Sequence, residues 1–204
     1  MTMTLYHCSG ARSTRVVWTL EEMGLPYDLK VLPFPPRVFE KEYLGVNPLG
    51  TVPYFVDGET RMTESAAICQ YLVETRGPTP LGVQAGEPDY GAFLNWLYYS
   101  DATVTFPQTI VLRYSQLEPE ARRLPQAVED YRRFFLGRLR AVENTLADGR
   151  DYLCADRFTI ADICVGYALY LARMLRIEDA FTPRIASWWD RLSARPAFRK
   201  AVEK

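Results

Sequence analysis

The chain has 204 residues, 48% of them hydrophobic and 24% charged, with a formal net charge of -1. That composition builds a core and excludes a disordered chain; with Lys and Arg scattered rather than clustered, it also argues against a nucleic-acid binder. Four cysteines (Cys8, Cys69, Cys154, Cys164) without a C-x-x-C pair, and a single histidine, His7, leave too few ligands for a zinc site, and a disulfide framework is not expected in a chain this apolar.

In chain order, residues 5–7 read as a first strand. Residues 12–23 read as a helix with Val16, Val17 and Leu20 on one face and Glu21 and Glu22 on the other, stopped by Gly24. Residues 27–32 alternate as a second strand, broken by Pro33, Pro35 and Pro36. A short second helix is expected over 37–44. Residues 54–56, the turn Asp57-Gly58 and residues 61–62 read as a hairpin. A third helix runs over 65–76 and ends at Gly77-Pro78. The order βαβα then ββα predicts a small mixed sheet with helices on its faces, in the manner of thioredoxin. The fold class expected is therefore α/β plus all-α: a thioredoxin-like domain over 1–77, a Gly/Pro-rich linker over 78–88, and an all-helical domain over 89–204.

In the helical part, residues 90–117 read as one long helix with Pro107 as a kink site. Tyr131, Phe135, Leu139, Val142 and Leu146 recur at near-helical spacing. Thr159-Ile160-Ala161-Asp162 reads as a capping box with Asp in the place of Glu, and Phe158 as a staple against Ile163. Two last helices, over 184–193 and 196–204, complete a bundle. The longest apolar run, residues 163–172, is too short to span a bilayer. The first residues show no basic end followed by an apolar stretch, so no signal peptide is expected and the compartment expected is the cytoplasm.

The most informative segment is Asn47-Pro48-Leu49-Gly50-Thr51-Val52-Pro53, followed by Glu64-Ser65-Ala66-Ala67-Ile68. Proline is the residue at which a cis peptide costs little. A cis Val52-Pro53 bond is expected, turning the Val52 N–H and C=O outward toward an extended peptide. Glu64-Ser65 then opens a helix whose N–H groups and hydroxyl suit a carboxylate. A plain N-cap is the alternative use of Glu64-Ser65.

These two motifs, with Phe158-Thr159-Ile160-Ala161-Asp162, resemble the cytosolic glutathione S-transferases of the bacterial type, and the resemblance covers nearly the whole chain. It implies a homodimer with glutathione as cosubstrate and no permanently bound cofactor; the composition and pattern read above add no metal and no nucleic-acid or membrane partner. Carried over residue by residue, Val52 and Pro53 meet the cysteinyl residue, Ser65 the γ-glutamyl carboxylate and Glu64 its amine. Arg37 is similar to a basic position that meets the glycyl carboxylate. Asp101 is similar, more loosely, to an acid that reaches the γ-glutamyl amine from the partner subunit. Arg37 and Asp101 are also compatible with ordinary surface positions.

The resemblance breaks where the thiol is activated. With Arg15-Val16-Val17 aligned, the positions that hold a Ser or Cys in relatives fall on Gly10, Ala11 and Arg12, and none carries a hydroxyl or thiol. The catalytic candidates are then Ser13 and Ser9, which flank the gap, and Arg12, with the backbone N–H groups of Ala11 and Arg12 beside them. Ser13 also suits a helix cap and Ser9 a turn. Tyr6 matches the tyrosine of other branches but falls in the first strand. Tyr98, Tyr99, Phe106, Arg113 and Tyr114 are candidates for the wall of a second-substrate site. The activity expected is conjugation of glutathione to small electrophiles, in detoxification. The alternatives are a glutathione-dependent isomerase, a thiol-disulfide reductase working through Cys8, and a non-catalytic glutathione-binding module.

Overall fold

The structure is a computed structural model that describes residues 2–204. The chain divides into two compact units, Met1–Gly82 with Ser193–Lys204, and Val83–Leu192.

The first unit is built on a four-stranded sheet of order β2-β1-β3-β4. Strand β1 (Met3–His7) runs parallel to β2 (Tyr27–Val31) and antiparallel to β3 (Tyr54–Asp57), which turns into β4 (Thr60–Met62). Helix α1 (Thr14–Met23) makes the β1–β2 crossover and α3 (Ser65–Thr75) follows β4. This is the thioredoxin-like βαβαββα order. The alternation of β1 sends Met3, Leu5 and His7 to the buried side, while Tyr6 lies on the other face near the rings of Tyr43 and Tyr54. Leu5, Phe55, Val16, Val17, Leu20, Ile68 and Leu72 are fully buried and form the core.

The second helix is shorter than its sequence suggests. It splits into α2 (Pro36–Phe39) and a 3-10 turn, Lys41–Gly45. With so few backbone bonds, this excursion leaves Phe34, Val38, Phe39, Leu44 and Leu49 exposed.

The second unit contains α4 (Tyr90–Tyr99), α5 (Phe106–Leu112), α6 (Pro125–Arg138), α7 (Arg140–Thr145), α8 (Ile160–Met174) and α9 (Pro183–Ser193), whose last residue belongs to the first unit. The long helix expected over 90–117 is a continuous helical run, but it is not uniformly α: Ser100–Thr105 and Arg113–Leu117 are π-helical. Pro107 brings no N–H and its ring clashes with the preceding turn, so the helix widens just ahead of it. Helix α8 is buried from Ile160 to Leu169, all round its circumference, which makes it the central helix of this unit.

The last helix, α10 (Pro196–Val202), continues the sequence of the helical part but packs on α1. Trp18 meets Phe198 edge-on at 4.8 Å, and Arg195 forks onto the Glu22 carboxylate at 2.6 and 2.8 Å. The amphipathic pattern of residues 196–202 defines an apolar face without saying which partner covers it.

Candidate functional site

The site is assembled from three pieces of the first unit. The first is the turn between β1 and α1. His7 ends β1 on the buried side, with its Nδ1 2.8 Å from the Ser13 hydroxyl, and both residues are fully buried. The same hydroxyl accepts the Cys8 N–H at 3.3 Å. Ser13 thus faces inward. It makes no side-chain cap on α1, and its oxygen braces the turn. Desolvation lowers the His7 pKa to about 4, so the imidazole is neutral, and its Nε2 has no hydrogen-bond partner among the described residues. The Ala11 N–H is committed to the Cys8 carbonyl at 3.1 Å, which removes it from the donors available to a ligand. Ser9 is the exposed hydroxyl of the turn, and Arg12 is half-buried beside it.

Cys8 does not suit the redox role. It is fully buried, its Sγ lies 3.7 Å from the Pro33 carbonyl, and burial pushes its pKa up to about 11. The nucleophile in disulfide exchange is the thiolate, and this thiol stays protonated at neutral pH.

The second piece is the loop before β3. Buried Asn47 donates to the Thr51 carbonyl at 2.9 Å and accepts the Leu49 N–H at 3.1 Å. The Tyr43 hydroxyl donates to the same Thr51 carbonyl at 2.8 Å. Gly50 has φ +59, and a Cβ there would stand 2.7 Å from the Arg37 Cβ, so only glycine lets α2 approach the loop this closely. These contacts fix the bend at Val52. The Val52-Pro53 peptide is cis, Pro53 is buried and Val52 half-buried. Pairing of β1 with β3 ends at Tyr6 and Tyr54, so the Val52 main chain lies beyond the ladder. Arg37, on α2, is exposed.

The third piece is the start of α3. Glu64 has extended backbone there, and no side chain caps the helix. The first-turn N–H groups therefore have no intrahelical acceptor and no cap. The Glu64 side chain is exposed, whereas Ser65 is 2% exposed. The Ser65 hydroxyl accepts a 2.9 Å hydrogen bond from Nη1 of Arg15, a fully buried residue of α1.

The structure thus brings Val52, Pro53, Glu64, Ser65, Arg37, Ser9, Arg12 and Ser13 into one unit. Asp101 belongs to the other, in the π-helical Ser100–Thr105 segment, where it is half-buried. Of the aromatic candidates in that unit, Tyr98 and Phe106 are exposed. The sequence reading missed Arg15, Tyr43 and Asn47. The signal for Arg15 was a charge placed next to Val16 and one turn before Thr19, inside the apolar face of α1.

Two family models match the chain, the N-terminal domain of glutathione S-transferases over residues 11–75 and the C-terminal domain over residues 106–196. Glutathione S-transferase 2 of Schizosaccharomyces pombe is 30% identical over 223 aligned positions, covering 98% of this chain and 95% of its own length. Among solved structures, a glutathione transferase of Methylococcus capsulatus superposes with a TM-score of 0.84 at 28% identity, covering 99% of this chain and 98% of its own. A Phanerochaete chrysosporium glutathione transferase in complex with oxidized glutathione superposes with a TM-score of 0.84 at 30% identity, covering 99% and 95%.

Proposed function

The chain belongs to the cytosolic glutathione S-transferase superfamily, and from that premise we propose that it binds glutathione on its first unit and transfers the thiolate to small electrophiles. The observation that carries this reading is the start of α3, an uncapped helix N-terminus with a buried hydroxyl, which suits the γ-glutamyl carboxylate. Glu64 accepts from the γ-glutamyl amine, joined by Asp101 of the partner subunit in a homodimer. The Val52 main chain pairs with the cysteinyl residue as an added strand would. Arg37 meets the glycyl carboxylate. The same proposal makes the chain a cytoplasmic enzyme of detoxification.

The sulfur then lies against the turn at residues 9–12. Lowering a thiol pKa by two units takes about 2.7 kcal/mol of preference for the anion. In this reading the Ser9 hydroxyl and the Arg12 guanidinium supply it. Ser13 contributes by holding the turn, since its oxygen is taken by His7 and Cys8. The electrophile is held beside the thiolate, and proximity does the remaining work.

The inward-facing Ser13 and the absent hydroxyl at Gly10 and Ala11 favour one second reading, a module that binds glutathione without turning it over. Two measurements separate them. Conjugation of 1-chloro-2,4-dinitrobenzene by the purified protein is expected; calorimetric binding of glutathione without conjugation would favour the module. In either case Ser65→Ala should weaken binding by about 1–3 kcal/mol, the cost of losing a hydrogen bond to a buried charge. An unchanged dissociation constant would remove Ser65 from the site and the proposal with it.

A further inference from the structure

We propose that a cleft lying wholly within the second unit binds a small soluble phosphate or phosphomonoester through Arg150, Arg184 and Arg191.

The cleft encloses about 190 Å³ where the turn after α7 meets α9. Arg150 and Asp151 line it from the turn, and Arg184, Trp188 and Arg191 from the helix. The three helix residues are spaced at i, i+4 and i+7, so they share one face of α9. Leu146 and Trp188 are buried and the arginines are exposed, which gives an apolar floor under a cationic rim.

Three guanidiniums line this cleft against one carboxylate, that of Asp151. Asp148 and Glu143, the other acids paired with them, stand outside the lining. Each pairing occupies only part of a guanidinium, which carries five N–H groups. Arg150 grips Asp148 through Nε and Nη2, at 2.9 and 2.7 Å, and keeps Nη1. Arg184 meets Glu143 through Nη1 and keeps Nε and Nη2. Arg191 meets the Asp151 carboxylate through Nη2 at 2.7 Å and its carbonyl through Nη1 at 3.4 Å, and keeps Nε. Trp188 adds an indole Nε1–H that has no acceptor among the described residues. Indole and guanidinium nitrogens donate and never accept, so the guest that suits them is an anion with several acceptor atoms.

Size and charge narrow its class. The volume is below the ~300–1,000 Å³ of pockets for drug-sized ligands. A phosphate group packs a charge of about −1.5 to −2 and three strong acceptor oxygens into a small volume, and guanidinium forks match those oxygens in pairs. A guest joining Arg150 to α9 would also steady the turn that leads to Leu153, whose N–H is held by Asp162 at the start of α8.

The test uses the full chain, isotope-labelled for NMR and titrated with inorganic phosphate at an ionic strength held constant with sodium chloride. The Trp188 indole N–H signal, assigned by its loss in Trp188→Phe, and the Gly149 and Ser187 amide signals should shift and saturate together. Arg150→Gln and Arg184→Gln should each raise the dissociation constant about tenfold. Arg150 lies on an exposed turn, so Arg150→Gln carries the comparison if Arg184→Gln, which also releases Glu143, does not fold. Glycerol 3-phosphate should displace inorganic phosphate, whereas succinate should bind at least about tenfold more weakly. Succinate binding as tightly as phosphate would overturn the assigned class. No co-sedimentation with phosphatidylcholine vesicles containing phosphatidic acid is expected; vesicle binding that Arg150→Gln abolishes would place the phosphate on a lipid and overturn the soluble guest. Shifts that never saturate, that sodium chloride alone reproduces, or that persist unchanged in both variants would reduce the cleft to surface ion pairs and overturn the inference.

Discussion

Asp162→Ala is expected to destabilise the helical unit by about 3–4 kcal/mol, because it strands two buried N–H groups at roughly 1–3 kcal/mol each. The Asp162 side chain is wholly buried at the start of α8. Its Oδ1 accepts the Leu153 N–H at 3.0 Å, and its Oδ2 accepts the Thr159 N–H at 2.9 Å. The carboxylate therefore ties the loop entering α8 to the helix itself. Alanine leaves both donors in a dry interior with no acceptor. Burial raises the pKa of this carboxyl to about 7, so removing it also removes a desolvation cost, which holds the net loss below the sum of the parts. Thr159→Ala should cost less, about 1 kcal/mol, since it loses the cap on the Ala161 N–H but leaves the carboxylate in place. Urea denaturation of the two variants measures both values. If Asp162→Ala unfolds within about 1 kcal/mol of wild type, the box is not what secures α8.

The box was legible because all of its information is local. Thr159 and Asp162 stand three apart ahead of an apolar run, and a capping box needs nothing else. The sheet was legible for the same reason, since Val16, Val17 and Leu20 mark one helical face and Asp57-Gly58 marks one turn. What could not be read depends on partners distant in sequence. Ser13 offers a hydroxyl that can cap, donate outward or brace inward. The choice is made by His7, and only the alternation phase of β1 puts that ring beneath it. Arg15 looks like a surface charge until Ser65, fifty residues on, meets it. The destination of α10 is decided by Trp18 and Phe198, at opposite ends of the chain. The candidate site divides likewise: its main-chain and helix-end parts are in local motifs, while the groups that orient them come from tertiary contacts.

The His7–Ser13 contact should also make the first unit acid-sensitive. Burial lowers the His7 pKa from 6.5 to about 4. Below 6.5 the unfolded chain binds a proton there and the folded chain does not. Stability from this group is thus fully present above pH 6.5 and is lost as pH falls toward 4. A pKa unit corresponds to about 1.4 kcal/mol, so the loss approaches roughly 3 kcal/mol. The cause is physical: protonation puts an N–H on both ring nitrogens, and Nε2 has no acceptor among the described residues. Other groups titrate in the same interval, notably Asp162, whose carboxyl desolvation raises to about 7 and which therefore acts in the opposite direction. The informative quantity is the difference between wild type and His7→Asn, which keeps an amide near the Ser13 oxygen but does not titrate. At pH 7 the two should differ by about 1 kcal/mol. By pH 4.5 the wild type should have lost about 2–3 kcal/mol relative to the variant. Because Ser13 also holds the Cys8 N–H, protonation should loosen the turn at residues 9–12, and glutathione affinity should fall over the same interval in wild type alone. Denaturation curves at pH 7, 5.5 and 4.5 check the stability difference, and parallel curves for the two proteins would show that His7 does not govern it.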